Sequence, residues 1–378
     1  MYSFPRRHVV VTRTRTWILR QSEEVGSIPA RTIYPGVMPS LRQNSRNFFP
    51  QIYSFVAALA LPLSLLAISC QHDSALRATS AVGADFDSPA TVDPPVFDAA
   101  HPPLIFDTVF EVEGAGLNAV LYEAQGPGPH PTVVLLHGFP GNEKNQDLAQ
   151  AFRRAGWNAL IFHYRGSWGS GGDFSFVHIL EDVREVLTAI RAPEFAVAHR
   201  IDTETLALVG HSMGGFAALI SGAELPEVDC IVSLAGANLG GIAQALSSAP
   251  AQAGQFAAQV DAWSGPIRGP GGEALVAEIA ANARRFNPID HAPALAQKKL
   301  LLVAGARDVV TPVALHHTPL VDALFELEAA NLQQKVYENA DHSFSGQRIA
   351  LADHVTSWLT DHCASLEATH RFSTRKSP

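Results

Sequence analysis

The chain has 378 residues, 47% hydrophobic and 17% charged, with a formal net charge of −9. That balance excludes a disordered or fibrous chain and supports a large buried core. Residues 1–50 carry eight Arg and two Glu, so a net −15 falls on the rest; such an acidic body argues against a nucleic-acid partner, because phosphate binding needs a basic face.

In chain order, residues 1–37 read as an upstream extension, with Met38 as the expected start and an Arg-rich, acid-poor transit peptide as the other reading. Residues 38–70 then show Arg42 and Arg46, an apolar run from Ile52 to Ser69, and Cys70. A basic segment, an apolar segment and a small residue before the break make an export signal. Leu66-Ala67-Ile68-Ser69-Cys70 is similar to a bacterial lipobox, with Ala67 where that motif usually has Leu. The resemblance implies lipid on Cys70 and an exported protein, envelope-bound or secreted and periplasmic. A plain signal peptide and an uncleaved membrane anchor remain alternatives. Residues 71–103, rich in Ala, Asp, Ser and Pro, read as a flexible tether.

The folded domain is expected over 104–364, with a disordered tail over 365–378. Leu104–Val112 and Leu117–Glu123 alternate apolar and polar residues about Glu113-Gly114-Ala115-Gly116, as an antiparallel hairpin does. Strands and helices then alternate. Strands are predicted at Thr132–Leu136, Asn158–Phe162, Leu206–Val209, Cys230–Leu234, Leu300–Val303 and Gln334–Tyr337. Helices are predicted near Gln146–Ala155 and Val177–Arg191, directly after Ser212, and at Gln347–His362. Unbroken apolar runs mean strands buried on both faces, hence a parallel sheet flanked by helices. Residues 238–290 interrupt this rhythm at a length well beyond an ordinary connection. Helical patches near Ala251–Trp263 and Gly272–Arg285 suggest a small cap over the strand ends; a helix pair on the sheet flank is the alternative. With Cys70 set aside, Cys230 and Cys363 are left as one disulfide or two buried thiols.

The chemistry centres on Gly210-His211-Ser212-Met213-Gly214-Gly215, directly after Leu206–Val209. A strand that breaks into a Gly-flanked serine and then a helix is a nucleophile elbow, tight enough to need small residues two before and two after the serine. Serine is a weak nucleophile until a base takes its proton, and the base needs a group to orient it. Asp308, just past Leu300–Val303, and His342, just past the strand ending at Tyr337, supply both at carboxyl ends of parallel strands. Asp341 adjoins the base, and Asp261 and Asp290 are weaker candidates. Ala235-Gly236-Ala237-Asn238, after Cys230–Leu234, offers no carboxylate, which strengthens Asp308. The side chain of His211 should diverge from Ser212, and His316 and His317 read as solvated. The oxyanion of a tetrahedral intermediate needs fixed donors; the N–H groups of Met213 and of Phe139, in His137-Gly138-Phe139-Pro140-Gly141, are the candidates.

With elbow, oxyanion loop, acid and base in this order, residues 103–364 resemble the α/β-hydrolase superfamily. The resemblance implies an α/β-hydrolase fold, with a mostly parallel eight-stranded sheet. Tyr164-Arg165-Gly166-Ser167-Trp168-Gly169-Ser170-Gly171-Gly172-Asp173 is similar to the prolyl-oligopeptidase-like and dienelactone-hydrolase-like branches. This loop is expected to line the substrate pocket together with His137 and Gly138, Tyr164 and Arg165 being its candidate contacts. Arg165 stays open between bonding backbone carbonyls and binding a substrate carboxylate. The expected activity is serine hydrolysis of a small-molecule ester, thioester or amide; a serine aminopeptidase or dipeptidyl-type peptidase is the alternative, and an inactive binding protein the third. No cofactor or metal is expected, since His-Glu-x-x-His, paired Cys spacing and a phosphate loop ending in Lys-Ser/Thr do not occur. Oligomeric state has no sequence signal.

Overall fold

The apolar runs become strands of one sheet in the computed structural model, which describes residues 88–364. The expected upstream extension, the export signal with Cys70, the first part of the tether and the C-terminal tail lie outside the described residues. The eight strands are β1 (Leu104–Val112), β2 (Ala115–Glu123), β3 (His130–Leu136), β4 (Asn158–Phe162), β5 (Ile201–His211), β6 (Cys230–Leu234), β7 (Lys299–Gly305) and β8 (Leu332–Tyr337). Their order across the sheet is β1-β2-β4-β3-β5-β6-β7-β8. β2 runs antiparallel to both its neighbours, and every other pair is parallel.

Eleven helices are described: α1 (Gln146–Arg154), α2 (Phe176–Arg191), α3 (Pro193–Ala198), α4 (Met213–Glu224), α5 (Leu239–Ser247), α6 (Pro250–Trp263), α7 (Gly272–Ala281), α8 (Ala292–Leu295), α9 (Val313–His316), α10 (Thr318–Glu326) and α11 (Arg348–His362). The period of two along a strand divides the core between the two faces of the sheet. Val134, Leu208, Ile231 and Leu302 pack with α2 and α4 on one face. Val133, Val209, Val232 and Leu301 pack with α1 and α11 on the other. β3, β4 and β6 are buried throughout, as their unbroken apolar sequences require. β8 keeps exposed polar residues because it is an edge strand.

One open point of the sequence reading is resolved here. Cys230, at the start of β6, is disulfide-bonded to Cys363, just past α11, which ties the last helix to a central strand. Residues 88–103, expected to belong to a flexible tether, already lie on the body. Arg154 Nε donates to the Pro89 carbonyl at 2.5 Å, and Gln125 Nε2 donates to the Val96 carbonyl at 2.9 Å.

The long connection from β6 to β7 holds α5, α6, α7, a 3-10 turn (Pro288–His291) and α8. α5 had no clear signal in the sequence. Glu278 of α7 accepts hydrogen bonds from the backbone N–H groups of Phe176 and Val177, both at 3.0 Å, and from Ser175 Oγ. The insertion thus caps the N-terminus of α2 from outside that helix. The Ser167–Ile267 bridge and the Arg268 N–H to Gly166 carbonyl bond (2.7 Å) dock it on the Gly-rich loop as well.

Candidate active site

Ser212 ends the turn between β5 and α4 with φ 58° and ψ −119°, a conformation that costs a residue with a side chain roughly 1–3 kcal/mol. The surrounding backbone holds it there. Ser212 N–H donates to the Leu234 carbonyl at 2.9 Å, and the Ser212 carbonyl accepts from Ala237 and Phe216 at 3.0 and 3.1 Å. A Cβ on Gly210 would overlap the Gly214 carbonyl, and one on Gly214 would overlap the Leu136 carbonyl. The small residues flanking the serine are therefore required by close backbone approach.

His342 Nδ1 lies 2.7 Å from Asp308 Oδ2. The Asp308 side chain is fully buried, and its other oxygen accepts from the N–H groups of Val310 and Thr311 at 2.7 and 2.8 Å. Burial alone would push this carboxyl up, but the bonds from His342 and Thr311 hold it below the usual carboxylate range. Asp308 thus stays ionised and fixes a proton on His342 Nδ1, leaving Nε2 as the acceptor nitrogen of the ring. Asp341 faces a different task, accepting from the N–H groups of Ser343 and Ser345 to shape the loop.

His211 connects the elbow to this loop. Its Nε2–H donates to the His342 carbonyl at 2.7 Å, and the two rings lie 4.8 Å apart. Burial, followed by the charge of His342, lowers the His211 imidazole to about 3. His316 corrects the expectation of a solvated residue: its Nδ1 accepts from the Asn238 N–H at 3.0 Å, and burial lowers it to about 4. Both rings stay neutral around His342. Thr311 had not been singled out, yet its Oγ1 lies 2.7 Å from Asp308 Oδ2 and 3.2 Å from His342 Nδ1. A hydroxyl three residues after the acid was the available signal.

The 137–141 loop passes beside the serine. A Cβ on Gly138 would stand 2.9 Å from Ser212 Cβ and 3.4 Å from its Oγ. The two expected oxyanion donors, the N–H groups of Phe139 and Met213, belong to this loop and to the first residue of α4.

The expected substrate contacts separate here. Gly138 lies at the serine. His137, Tyr164 and Arg165 face inward and are corrected to supporting roles. His137 is buried, with Nδ1 2.8 Å from the Gly138 carbonyl, and burial lowers its ring to about 3. Tyr164, fully buried, donates its hydroxyl to the His137 carbonyl at 3.1 Å. The Arg165 guanidinium is engaged by Asp182 (2.6 Å), Glu181 (2.7 Å) and Glu113 (3.2 Å), so no face of it is left for a substrate carboxylate. Burial pushes the Asp182 carboxyl up to about 6 even with Arg165 against it.

Comparisons with known proteins agree with this architecture. Over 111 residues the chain is 32% identical to an uncharacterized 31.7 kDa protein of the traX-finO intergenic region of Escherichia coli, a match covering 29% of this chain and 38% of that relative. It is 26% identical over 281 residues to a monoacylglycerol lipase of Mycolicibacterium smegmatis, covering 66% of this chain and 95% of the relative. Among solved structures, Est1E from Butyrivibrio proteoclasticus with bound ferulic acid superposes with a TM-score of 0.54 at 19% identity, covering 68% of this chain and 99% of that one. The acylaminoacyl peptidase of Pyrococcus horikoshii gives a TM-score of 0.50 at 15% identity, covering 68% of this chain and 41% of that one. A model of the alpha/beta hydrolase family matches residues 133–354, from β3 into α11, and so takes in the elbow, the 137–141 loop, Asp308 and His342 together. With more than half its length inside that match, this chain belongs to the α/β hydrolase family.

Proposed function

We propose that this protein is a serine hydrolase of carboxylic esters, working through Ser212, His342 and Asp308 with a covalent acyl-enzyme. The observation that carries the reading is the His342–Asp308 pair at 2.7 Å, with His342 on the loop that His211 joins to the strained serine turn. His342 Nε2 takes the Ser212 proton as Oγ attacks the ester carbonyl carbon. The resulting oxyanion is held by the Phe139 and Met213 N–H groups, with the N-terminus of α4 behind them. The intermediate collapses, His342 gives its proton to the departing alcohol, and a water deprotonated by the same imidazole releases the acid. Asp308 remains ionised throughout. The 26% identity with a monoacylglycerol lipase along nearly all of that relative favours an ester over an amide bond.

In this reading the helical insertion is a cap whose fit sets the acyl group accepted. The domain works after export, in an oxidising compartment where the Cys230–Cys363 disulfide persists. Attachment through a lipid on Cys70 belongs to the same proposal.

The test is Ser212→Ala, assayed on p-nitrophenyl esters of graded acyl length and labelled with a fluorophosphonate. Turnover should fall by about 10⁴ or more and labelling should vanish. Full turnover in this variant would remove Ser212 from the chemistry. Faster cleavage of peptide p-nitroanilides by the wild-type protein would move the substrate class from esters to peptides.

A further inference from the structure

We propose that Trp168 is a positioning residue for the oxyanion loop, linking that loop to the helical insertion; the inference rests on the serine-hydrolase reading above. Trp168 adopts φ 48°, a left-handed backbone that a bulky residue enters only when its surroundings compel it. Those surroundings act from two sides. Toward the loop, the indole Nε1–H donates to the Pro140 carbonyl at 2.7 Å, one residue past the Phe139 N–H. Lys144, just beyond the loop, places its ammonium 3.5 Å from the centroid of the indole ring and clamps it from the face. Gly141 leaves the indole its place, since a Cβ there would stand 2.8 Å from Nε1. Toward the insertion, the Trp168 N–H donates to the Pro266 carbonyl at 3.0 Å, and Ser167 bridges to Ile267.

Along one residue, then, the backbone is bonded to the insertion and the side chain to the oxyanion loop. A cap that shifts must move Trp168 or break its bond to Pro266. A shifted Trp168 carries the Pro140 carbonyl and, through it, the adjoining Phe139 N–H. Displacement matters there because a donor works only within hydrogen-bond reach of the developing charge. Seating of the cap and competence of the oxyanion hole are thereby joined.

The experiment compares wild type, Trp168→Phe, Pro266→Gly and the double variant in the full chain. The readouts are kcat, KM for a p-nitrophenyl ester, and Ki for an aryl boronic acid, which the serine converts to a tetrahedral anion. Phe keeps an aromatic ring for Lys144 and deletes the N–H donor. Trp168→Phe should lower kcat about tenfold and weaken the boronate by the same factor, with KM within about twofold. KM and Ki do not depend on the fraction of folded enzyme, so a folding defect cannot imitate that split. Pro266→Gly should also lower kcat, yet add no further loss in the Phe background. Unchanged kcat and boronate affinity in Trp168→Phe, with Ser212→Ala inactive, would overturn the proposal and leave the serine reading standing. Additive losses in the double variant would overturn the link to the insertion. Full activity of Ser212→Ala would instead remove the reading on which the proposal rests.

Discussion

Two helices of this chain are held by opposite means. In α4, directly behind Ser212, ten of twelve residues are buried, and its glycines meet the Leu136 carbonyl of β3, the Gly236 backbone and the Ile231 side chain at distances that admit no added side chain. In α6, within the insertion, two of fourteen residues are buried, and Gly254 would have nothing within 4 Å of an added Cβ. The first helix is fixed because it is walled in on nearly every side; the second packs along one side on its neighbours α5 and α7 and leaves the rest of its surface open. In the proposed reading, rigid placement suits the nucleophile and loose placement suits a cap, because a preorganised group must not reorganise during the reaction, whereas a cap must let substrate pass.

The largest effect that tests this contrast is Gly214→Ala. The new methyl would overlap the Leu136 carbonyl and crowd that of His137, both backbone atoms that cannot rotate away. The cost should be about 3 kcal/mol or more of stability, read as a lower urea midpoint, with loss of the proposed hydrolase activity. A variant of wild-type stability would show that the elbow has room to move and would erase the contrast.

The next effect comes from protons. Burial lowers both His137 and His211, on either side of Ser212, to about 3, whereas in the unfolded chain a histidine titrates near 6.5. Between these values the unfolded state binds protons that the native state refuses. Stability therefore rises with pH, by roughly 1.4 kcal/mol per pH unit for each histidine. It is fully present above about pH 6.5 and is lost progressively as pH falls. Asp308 works in the same direction at lower pH, since its depressed carboxyl gives up stability once it is protonated. Urea midpoints at pH 7 and pH 5 should differ clearly; a flat profile would mean that water reaches the two rings.

A smaller effect lies at the join between the two regions. Glu278→Ala leaves the N–H groups of Phe176 and Val177 without the insertion's carboxylate, although Ser175 Oγ still accepts from Val177 and His178. The loss should be about 1–2 kcal/mol, read as a lower melting temperature. It should be accompanied by a change in preferred acyl length, since α7 is then less firmly seated. Equal melting temperatures would show that Ser175 alone suffices as a cap.

How much of this was legible in the sequence follows the same division. The elbow, the strands and the Asp308–His342 pairing could be read because tight turns demand small residues and doubly buried strands demand apolar runs. Arg165 could not be resolved, since a guanidinium looks the same in sequence whether it faces a substrate carboxylate or, as here, Asp182, Glu181 and Glu113. His316 was misjudged because its partner is a backbone N–H 78 residues away. α5 was missed although Leu239, Ile242, Ala243 and Leu246 follow helical spacing, because Gly240 and Gly241 open it like a loop; Asn238 caps it by accepting from the Gly241 N–H while bonding Asn287. Local rules find what neighbouring residues determine; docking between distant segments escapes them.

The smallest predicted effect is the sharpest comparison, because it repeats the first substitution elsewhere. Gly254 lies inside α6, where glycine costs conformational entropy that alanine does not. Its added methyl meets open space, so Gly254→Ala should stabilise by roughly 0.5–1 kcal/mol, read as a higher urea midpoint. The same atoms are added in Gly214→Ala and Gly254→Ala, so side-chain chemistry cannot account for opposite signs; only the space around each Cα can. Two destabilised variants would mean that the face of α6 bearing Gly254 is covered in solution. The insertion would then be packed as firmly as the elbow, and a cap role would need a substrate path that leaves α6 in place.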